Sequence, residues 1–490
     1  MFNRESCSRC DSHTECFSQH AFFADRDELP TIGEKHANRG YQTCDIYTGE
    51  MTRQTEQKTW LLRDLGSWDL TAIGINGVIG GGIFILPATV AQLLGTAAPL
   101  AYLLAATVVS LVALCFAVAG SYFTTAGGPY QYAHKAFGPF LGFQVGWVTW
   151  LVRATSLGAL SSGLATYLGY FWPAAALGLQ KQMIVTAVFG SLVVVNVLGV
   201  RSGARVVNLL TVVKLLPLTL FVAIGVFAVD LHKVLPIQEI SLERLGESAL
   251  LLIFAFGGFE ILVIPAEEMV NPRRDVPRSL LATMIVVTLV YASIQWVAAG
   301  TFSGLASAQA PLASAATQFM GSAGGALMTV GALCSITGTM SGLMLAGPRV
   351  TYALAQNQQL PYWFGAVHPK FRTPYFSILF LGGVSLALAL SGTFVQLAGL
   401  AAIARLLQYI ATCLALVKLH KEMESDPSRF QLPGKHAIPV LAVTLCVGLL
   451  LQSKADQVYL TAGALGIGAG LFWLAGRLSG TANRSSGQLW

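Results

Sequence analysis

The sequence predicts an all-α membrane protein with twelve transmembrane helices, the first and sixth of them discontinuous. Three observations carry that expectation. Of 490 residues, 54% are hydrophobic and only 11% are charged, whereas a soluble domain carries roughly a quarter charged residues. Apolar runs recur from position 70 to the end, each with the ~20 residues a helix needs to cross hydrocarbon about 30 Å thick. Two of the runs are interrupted by glycine clusters followed by a proline. Fifty glycines without a G-X-Y period exclude collagen, and the absence of a long polar tract excludes a coiled coil or a disordered chain.

Before the first span, residues 1–69 hold 8 Lys+Arg and 12 Asp+Glu, against 22 and 12 in the remainder. The segment 1–68 reads as a polar cytoplasmic tail without fold-forming periodicity. Its Cys7, Cys10, His13 and Cys16 are ligand types for tetrahedral zinc, but the spacing is too short for a standard finger. A disordered extension is the expectation there, and Met51 offers an alternative start. No cleavable signal peptide is read, because the first apolar run begins near Leu70. Cys44 also lies in the tail, while Cys115, Cys334, Cys413 and Cys446 share no spacing and read as small core residues.

The spans follow in order at about 70–94, 97–121, 137–170, 183–200, 206–229, 247–266, 279–300, 325–347, 374–391, 393–419, 437–452 and 456–476. The third is long enough to imply a strong tilt. Connections from even to odd spans carry Lys135, Arg201, Arg205, Arg273, Arg274, Arg278, Arg349, Lys370, Arg372, Lys418, Lys421, Arg429 and Lys435. The opposite connections carry only Lys181, Lys233, Arg244 and Lys454. That bias places both termini in the cytoplasm. It also accounts for the net charge of +6 without nucleic acid as a partner. Trp147, Trp150, Trp172, Trp473 and Tyr170 include interfacial aromatics.

The first span, IGINGVIGGGIFILPATVAQLLG, places Gly74, Gly77, Gly80, Gly81 and Gly82 ahead of Pro87. Each glycine costs a helix interior up to about 1 kcal/mol, and irregular backbone at membrane depth is tolerated only where it is buried or lines a cavity. Close packing through small residues also accounts for Gly74, Gly77 and Gly81, but three consecutive glycines favour an unwound stretch. In the sixth span, LLLIFAFGGFEILVIPAEEMV, Gly257 and Gly258 break the run, Glu260 follows, and Pro265 lies beyond. A carboxylate in mid-span costs about 2.5–3.5 kcal/mol on insertion scales, so Glu260 either pairs with a buried base or serves a function. The two interruptions lie five helices apart and run in opposite directions, which points to an inverted-repeat transporter with a site at the midplane. Free N–H groups after Gly82 suit a carboxylate. Free carbonyls at the sixth break suit an ammonium. Together they fit the zwitterionic head of an amino acid.

GVIGGGIFILP in the first span resembles the G-x-G-[IV]-F signature of the amino acid–polyamine–organocation family of transporters. AGGPYQYAHKAFGPFLGF (126–143), FAFGGFE (254–260) with AEEMVNPRRDVPRS (266–279), and GPRVTYALAQNQQLP (347–361) are similar to further stretches of that family. The resemblance covers about 70–420. It implies the five-plus-five inverted repeat of the leucine transporter fold, with helices 11 and 12 added. It implies that the substrate carboxylate meets the backbone at Gly80, Gly81 and Gly82, and that the amine meets the carbonyls of Val78, Phe254 and Gly257. It implies gating aromatics at Phe254 and at Phe143, where some members carry tyrosine. Position 81, serine or threonine in many members, is glycine here.

Lys214, inside LLTVVKLLPLTLFVAIG, resembles the fifth-helix lysine of proton-coupled members, whose ammonium sits where sodium-coupled relatives bind their ion. Lysine, unlike arginine, can exchange its proton in a protein interior; the alternative is a side chain that snorkels to the interface. Arg153 in the third span and Arg405 in the tenth face one anion, Glu260. Either an Arg153–Glu260 pair or an arginine that binds an acidic group of the substrate follows. Glu267 and Glu268 read as contacts to Arg273 or Arg274, and Ser335, Thr337 and Thr339 as ion-site or packing hydroxyls.

The expected organisation is a tail at 1–68, a transport core at 69–420, a cytoplasmic loop at 421–436, helices 11 and 12 at 437–477 and a cytoplasmic tail at 478–490. The expected function is proton-coupled symport of an amino acid by alternating access, in the plasma membrane (the inner membrane in a Gram-negative bacterium). Exchange of amino acids or amines on the same fold, and substrate sensing without transport, are the alternatives. No cofactor or metal is called for, and the sequence is silent on oligomeric state. No HExxH, nucleophile elbow or paired intramembrane carboxylates mark an enzyme.

Overall fold

The computed structural model describes residues 66–122, 128–199, 203–234, 240–263, 271–423 and 436–486, all in one compact unit, Thr59–Trp490. The cysteines of the N-terminal tail, the pair Glu267 and Glu268, Arg201, Arg429 and Lys435 lie outside the described residues, as do the side chains of Arg205 and Arg273.

Among the described residues the regular structure is entirely helical, and its α-helices fall in chain order on the expected apolar runs. The first run divides into α1 (Ser67–Val78) and α2 (Gly82–Leu94), followed by α3 (Ala98–Tyr122), a short α4 (Pro129–Phe137) and the long α5 (Pro139–Leu168). Next come α6 (Gly178–Leu198), α7 (Gly203–Gly225), the single turn α8 (Leu231–Val234) and α9 (Leu242–Phe256). The chain continues through α10 (Pro272–Thr301), α11 (Pro311–Gln356), α12 (Tyr375–Ser391), α13 (Phe394–Met423), α14 (Ala437–Leu450) and α15 (Ala455–Ser486). Among the described residues, six stretches are long and apolar enough to cross a membrane: Gly82–Tyr122, Gly178–Leu198, Arg274–Thr301, Pro311–Gln356, Phe394–His420 and Ala455–Arg477. Val213–Ala228, Tyr375–Ser391 and Ala437–Leu450 are shorter apolar helices.

Three of the differences from the sequence reading have a clear local reason. Helix α4 is separate from α5 because Gly138, at φ +88, turns the chain between them and Pro139 restarts it. A Cβ on Gly142 would lie 2.7 Å from the backbone of His134, so α4 folds back tightly on α5. Helix α11 starts well before position 325 because a first segment from Pro311 ends at Gly321, whose φ of 67 interrupts the helix. Helix α15 continues past 476 to Ser486, into what reads in the sequence as a tail.

Helix α5 packs against α11, α12 and α13, while α3 packs against α9 and α10. Trp147 and Trp150 are buried here rather than interfacial: they stack with Phe143 and Phe380, with centroids 6.4, 4.7 and 4.9 Å apart along the series. Trp172 and Trp473 are exposed. Helix α15 lies over this stack, with Trp147 Nε1 donating to the Ala464 carbonyl at 2.8 Å. Helix α14 packs on α3 and α13, and these three helices carry the fully buried Cys446, Cys115 and Cys413. At the start of α1, Ser67 Oγ donates to the Asp275 carboxylate, and Ser279 Oγ donates to the Ser67 carbonyl at 2.8 Å, which fixes α1 to α10.

Candidate functional site

The first apolar run loses its helix where the sequence places three glycines. Ile79 leaves the helical region, at φ −70 and ψ 86, although its N–H still bonds the Ile75 carbonyl at 2.9 Å. Helix α2 restarts at Gly82, where the Phe84 amide bonds the Gly81 carbonyl at 3.2 Å and the amides ahead of it have no preceding turn to bond, at the positive end of the helix dipole. The glycines are there for want of room. A Cβ on Gly80 would lie 3.2 Å from Thr339 Oγ1, one on Gly81 2.6 Å from Leu160 Cδ2 and 2.7 Å from Ile336 Cγ1, and one on Gly82 3.1 Å from Ala255 Cα. Leu160 and Ile336 thus occupy the volume that a serine or threonine at position 81 would need.

The second break mirrors the first. Helix α9 ends at Phe256, Gly257 is extended, and Gly258 takes φ +115, a conformation that favours glycine. A short 3₁₀ turn then runs over Phe259–Val263. The two breaks touch: a Cβ on Gly258 would lie 2.3 Å from the Gly77 carbonyl oxygen. Main chain meets main chain at this point.

Six backbone carbonyls around the crossing are met by three side chains. Lys214 Nζ donates to the carbonyls of Asn76 at 2.6 Å and Ile79 at 2.7 Å, using two of its three donors. The residue is 6% exposed and reaches the first break rather than an interface. Tyr291 Oη donates to the Val78 carbonyl at 3.0 Å and lies 3.2 Å from that of Ala255. Arg405 Nη1 lies 3.2 Å from the Phe254 carbonyl and 3.3 Å from that of Ile253. Of the carbonyls expected to take an ammonium, that of Phe254 is therefore occupied by a guanidinium of the chain itself and that of Val78 by Tyr291. An ideal Cβ on Gly257 would fall 1.3 Å from Arg405 Nη1, so the guanidinium rests directly on that glycine.

Glu260 pairs with Arg405, not with Arg153. Its Oε1 lies 3.4 Å from Arg405 Nε and accepts from Tyr409 Oη at 2.7 Å, while its Oε2 accepts from the Gly258 amide at 2.7 Å. The contact to Nε is an ion pair without hydrogen-bond alignment. Three donors already surround this carboxylate. Arg153 sits apart on α5, with Nη1 3.5 Å from the Thr149 carbonyl of its own helix and a buried Nε without a partner. Its Cδ would lie 3.4 Å from a Cβ on Gly347.

Phe254 lies beside the first break, its Cδ1 3.3 Å from the Cβ position of Gly82, and its ring meets Phe394 edge-on at 5.7 Å. Phe143 is elsewhere, fully buried between Trp147 and Phe472, whose centroid is 5.1 Å away. Thr339 adjoins Gly80 and donates to the Ser335 carbonyl at 2.8 Å. Ser335 Oγ is buried without a partner, and Thr337 is exposed on the opposite side of α11.

Tyr291, Tyr409 and Tyr167 were not singled out by the sequence reading. Tyr167 Oη donates to the Phe84 carbonyl, so it holds the first turn of α2. The available signal was a hydroxyl-bearing aromatic in mid-span, which needs a polar partner once buried.

Two apolar runs that unwind against each other at a buried, polar, positively charged centre define a multi-pass membrane carrier. A model of the amino acid permease family matches residues 65–455, and the chain belongs to that family. It is 28% identical to the branched-chain amino acid permease BcaP of Bacillus subtilis (strain 168) over 430 residues, covering 82% of this chain and 90% of that protein. It is 29% identical to the serine/threonine exchanger SteT of the same organism, covering 78% and 89%. A third relative, the methylthioribose transporter of that organism, is 28% identical over 81% and 89%. Family and relatives alike are permeases and transporters, not enzymes.

Proposed function

We propose that the protein is a secondary active transporter that carries an amino acid across the plasma membrane by alternating access, coupled to protons through Lys214. The observation that carries the coupling is the ammonium of Lys214 on the Asn76 and Ile79 carbonyls, at the end of α1. Protonated, Lys214 ties α7 to the first break; without its proton it loses the charge that makes those bonds strong. Sodium symport is disfavoured, because the ammonium repels a second cation from the same place.

In this reading the chain crosses the membrane twelve times, with both termini cytoplasmic, and α1–α13 form a five-plus-five inverted repeat with α14 and α15 appended. The packing pairs support it, since they come in matched sets: α1 with α10 as α9 with α3, and α5 with α13 as α11 with α7. The substrate carboxylate sits at the amides of Gly80, Gly81 and Gly82. The amine sits near Val78, Phe254 and Gly257, with Glu260 behind them, and Phe254 closes the site with Phe394.

The test is uptake in proteoliposomes. L-isoleucine, L-serine and methylthioribose, after the names of the relatives, lead a panel of the common amino acids. An inward proton gradient is expected to raise uptake of the amino acid carried, and Lys214→Met to flatten its pH profile. Uptake driven by sodium alone, or carriage of methylthioribose with no amino acid, refutes this reading. SteT, an exchanger in name, supports exchange as the second reading. An exchanger gives little net uptake without internal counter-substrate and keeps its exchange in Lys214→Met. Binding without flux would mark a sensor.

A further inference from the structure

We infer that Arg405 is a built-in competitor for the cargo's ammonium: its guanidinium fills the cation subsite at the Ile253 and Phe254 carbonyls, and the cargo takes that subsite by displacing it. The inference rests on the amino acid reading above and deepens it.

Four observations lead to it. The carbonyls concerned belong to the last turn of α9, where a helix leaves its acceptors unfilled, and such acceptors are costly when buried without a donor. Arg405, 8% exposed, supplies that donor from α13. Its bonds there, at 3.2 and 3.3 Å, are long for charge-assisted hydrogen bonds, which cluster near 2.7–2.9 Å in general. The guanidinium is therefore held loosely. Gly257 leaves it no steric barrier on the backbone side, because any side chain there would occupy the position of Nη1.

The displaced guanidinium has somewhere to go. Glu260 Oε1 lies 3.4 Å from Arg405 Nε, so the arginine can swing toward the carboxylate and stay paired while an ammonium takes the carbonyls. One cation replaces another, and the acceptors are never left bare. Tyr409 and the Gly258 amide hold Glu260 in place throughout. Arg405 thus lets the carrier reorient when empty, and it weakens the cargo's apparent affinity.

The experiment compares the purified full chain with Arg405→Ala by thermal shift. Methylguanidinium at millimolar concentration is expected to raise the melting temperature of the variant saturably and to leave the wild type unchanged. Methylurea, neutral and of the same shape, should do nothing to either. The amino acid that best stabilises the wild type should half-saturate the variant at a concentration at least tenfold lower, as expected once a competitor is gone. Equal effects of methylguanidinium and methylurea, or weaker amino acid binding by the variant, overturn the inference. If methylguanidinium rescues but no amino acid shifts either protein, the amino acid reading and the competition both fall, and the carbonyls remain a cation subsite only. If Arg405→Ala does not fold, Arg405→Ala with Glu260→Gln, which removes the orphaned carboxylate, undergoes the same measurements with the same criteria.

Discussion

Replacing Gly258 by alanine tests the crossing of the two breaks most directly. The residue sits at φ +115, and holding a side-chain-bearing residue in so sparsely populated a conformation costs about 1–3 kcal/mol. Its Cβ would also stand 2.3 Å from the Gly77 carbonyl oxygen, where ordinary contact begins at 3.4 Å. The two breaks would have to part by about an ångström, and overpacking of that kind costs about 1–3 kcal/mol. The sum, about 2–6 kcal/mol, is large for one methyl group. Gly77→Ala is the control: it faces the same contact from within α1, but its Cβ would lie 3.1 Å from the Gly258 carbonyl oxygen and from Ile261 Cγ2. There the helix gains about 0.5–1 kcal/mol from losing a glycine, which offsets the crowding. Thermal unfolding of detergent-purified protein, with uptake measured in parallel, should show Gly258→Ala strongly destabilised and inactive and Gly77→Ala near wild type. A Gly258→Ala protein that melts and transports like the wild type would refute the argument that the crossing is a fixed main-chain contact.

Two further substitutions follow from the same geometry. Gly81→Ser would supply a hydroxyl at the first break, but it drives a Cβ to within 2.7 Å of Leu160 and Ile336; a loss of about 1–3 kcal/mol is expected, recovered in part by Leu160→Ala, both read by thermal unfolding. Glu260→Gln leaves Arg405 buried without its anion, and breaking such a pair from one side costs about 3–5 kcal/mol. The melting temperature should drop sharply and recover when Arg405→Met is added; an unchanged melting temperature in the single variant would show that the pair is not needed.

Glycine clusters in otherwise apolar runs marked both breaks in the sequence, because nothing else tolerates the conformation of Gly258 or the crowding around Gly81. Lys214 stood out as a cation inside an apolar helix, but the residues alone left snorkelling open, and its place at the first break was expected only from the family resemblance. The partner of Glu260 was not legible. Arg153 and Arg405 both lie mid-span, and only the rotation of α5 and α13 about their axes decides which one faces the carboxylate. The same rotation buries Phe143 against Phe472 and leaves Phe254 beside Gly82. Helix α4 was hidden because PYQYAHKAF is too polar to read as part of a span, and the third span was taken to begin near 137.

Where the two breaks cross at Gly77 and Gly258, the contact is between main-chain atoms, with Ile261 beside it. A contact between two glycines can be broken by an added side chain but offers none of its own to exchange. Variation is left to the surrounding walls, at Leu160 and Ile336 against Gly81 and at Phe394 against Phe254, whose side chains can change while the crossing stays as it is.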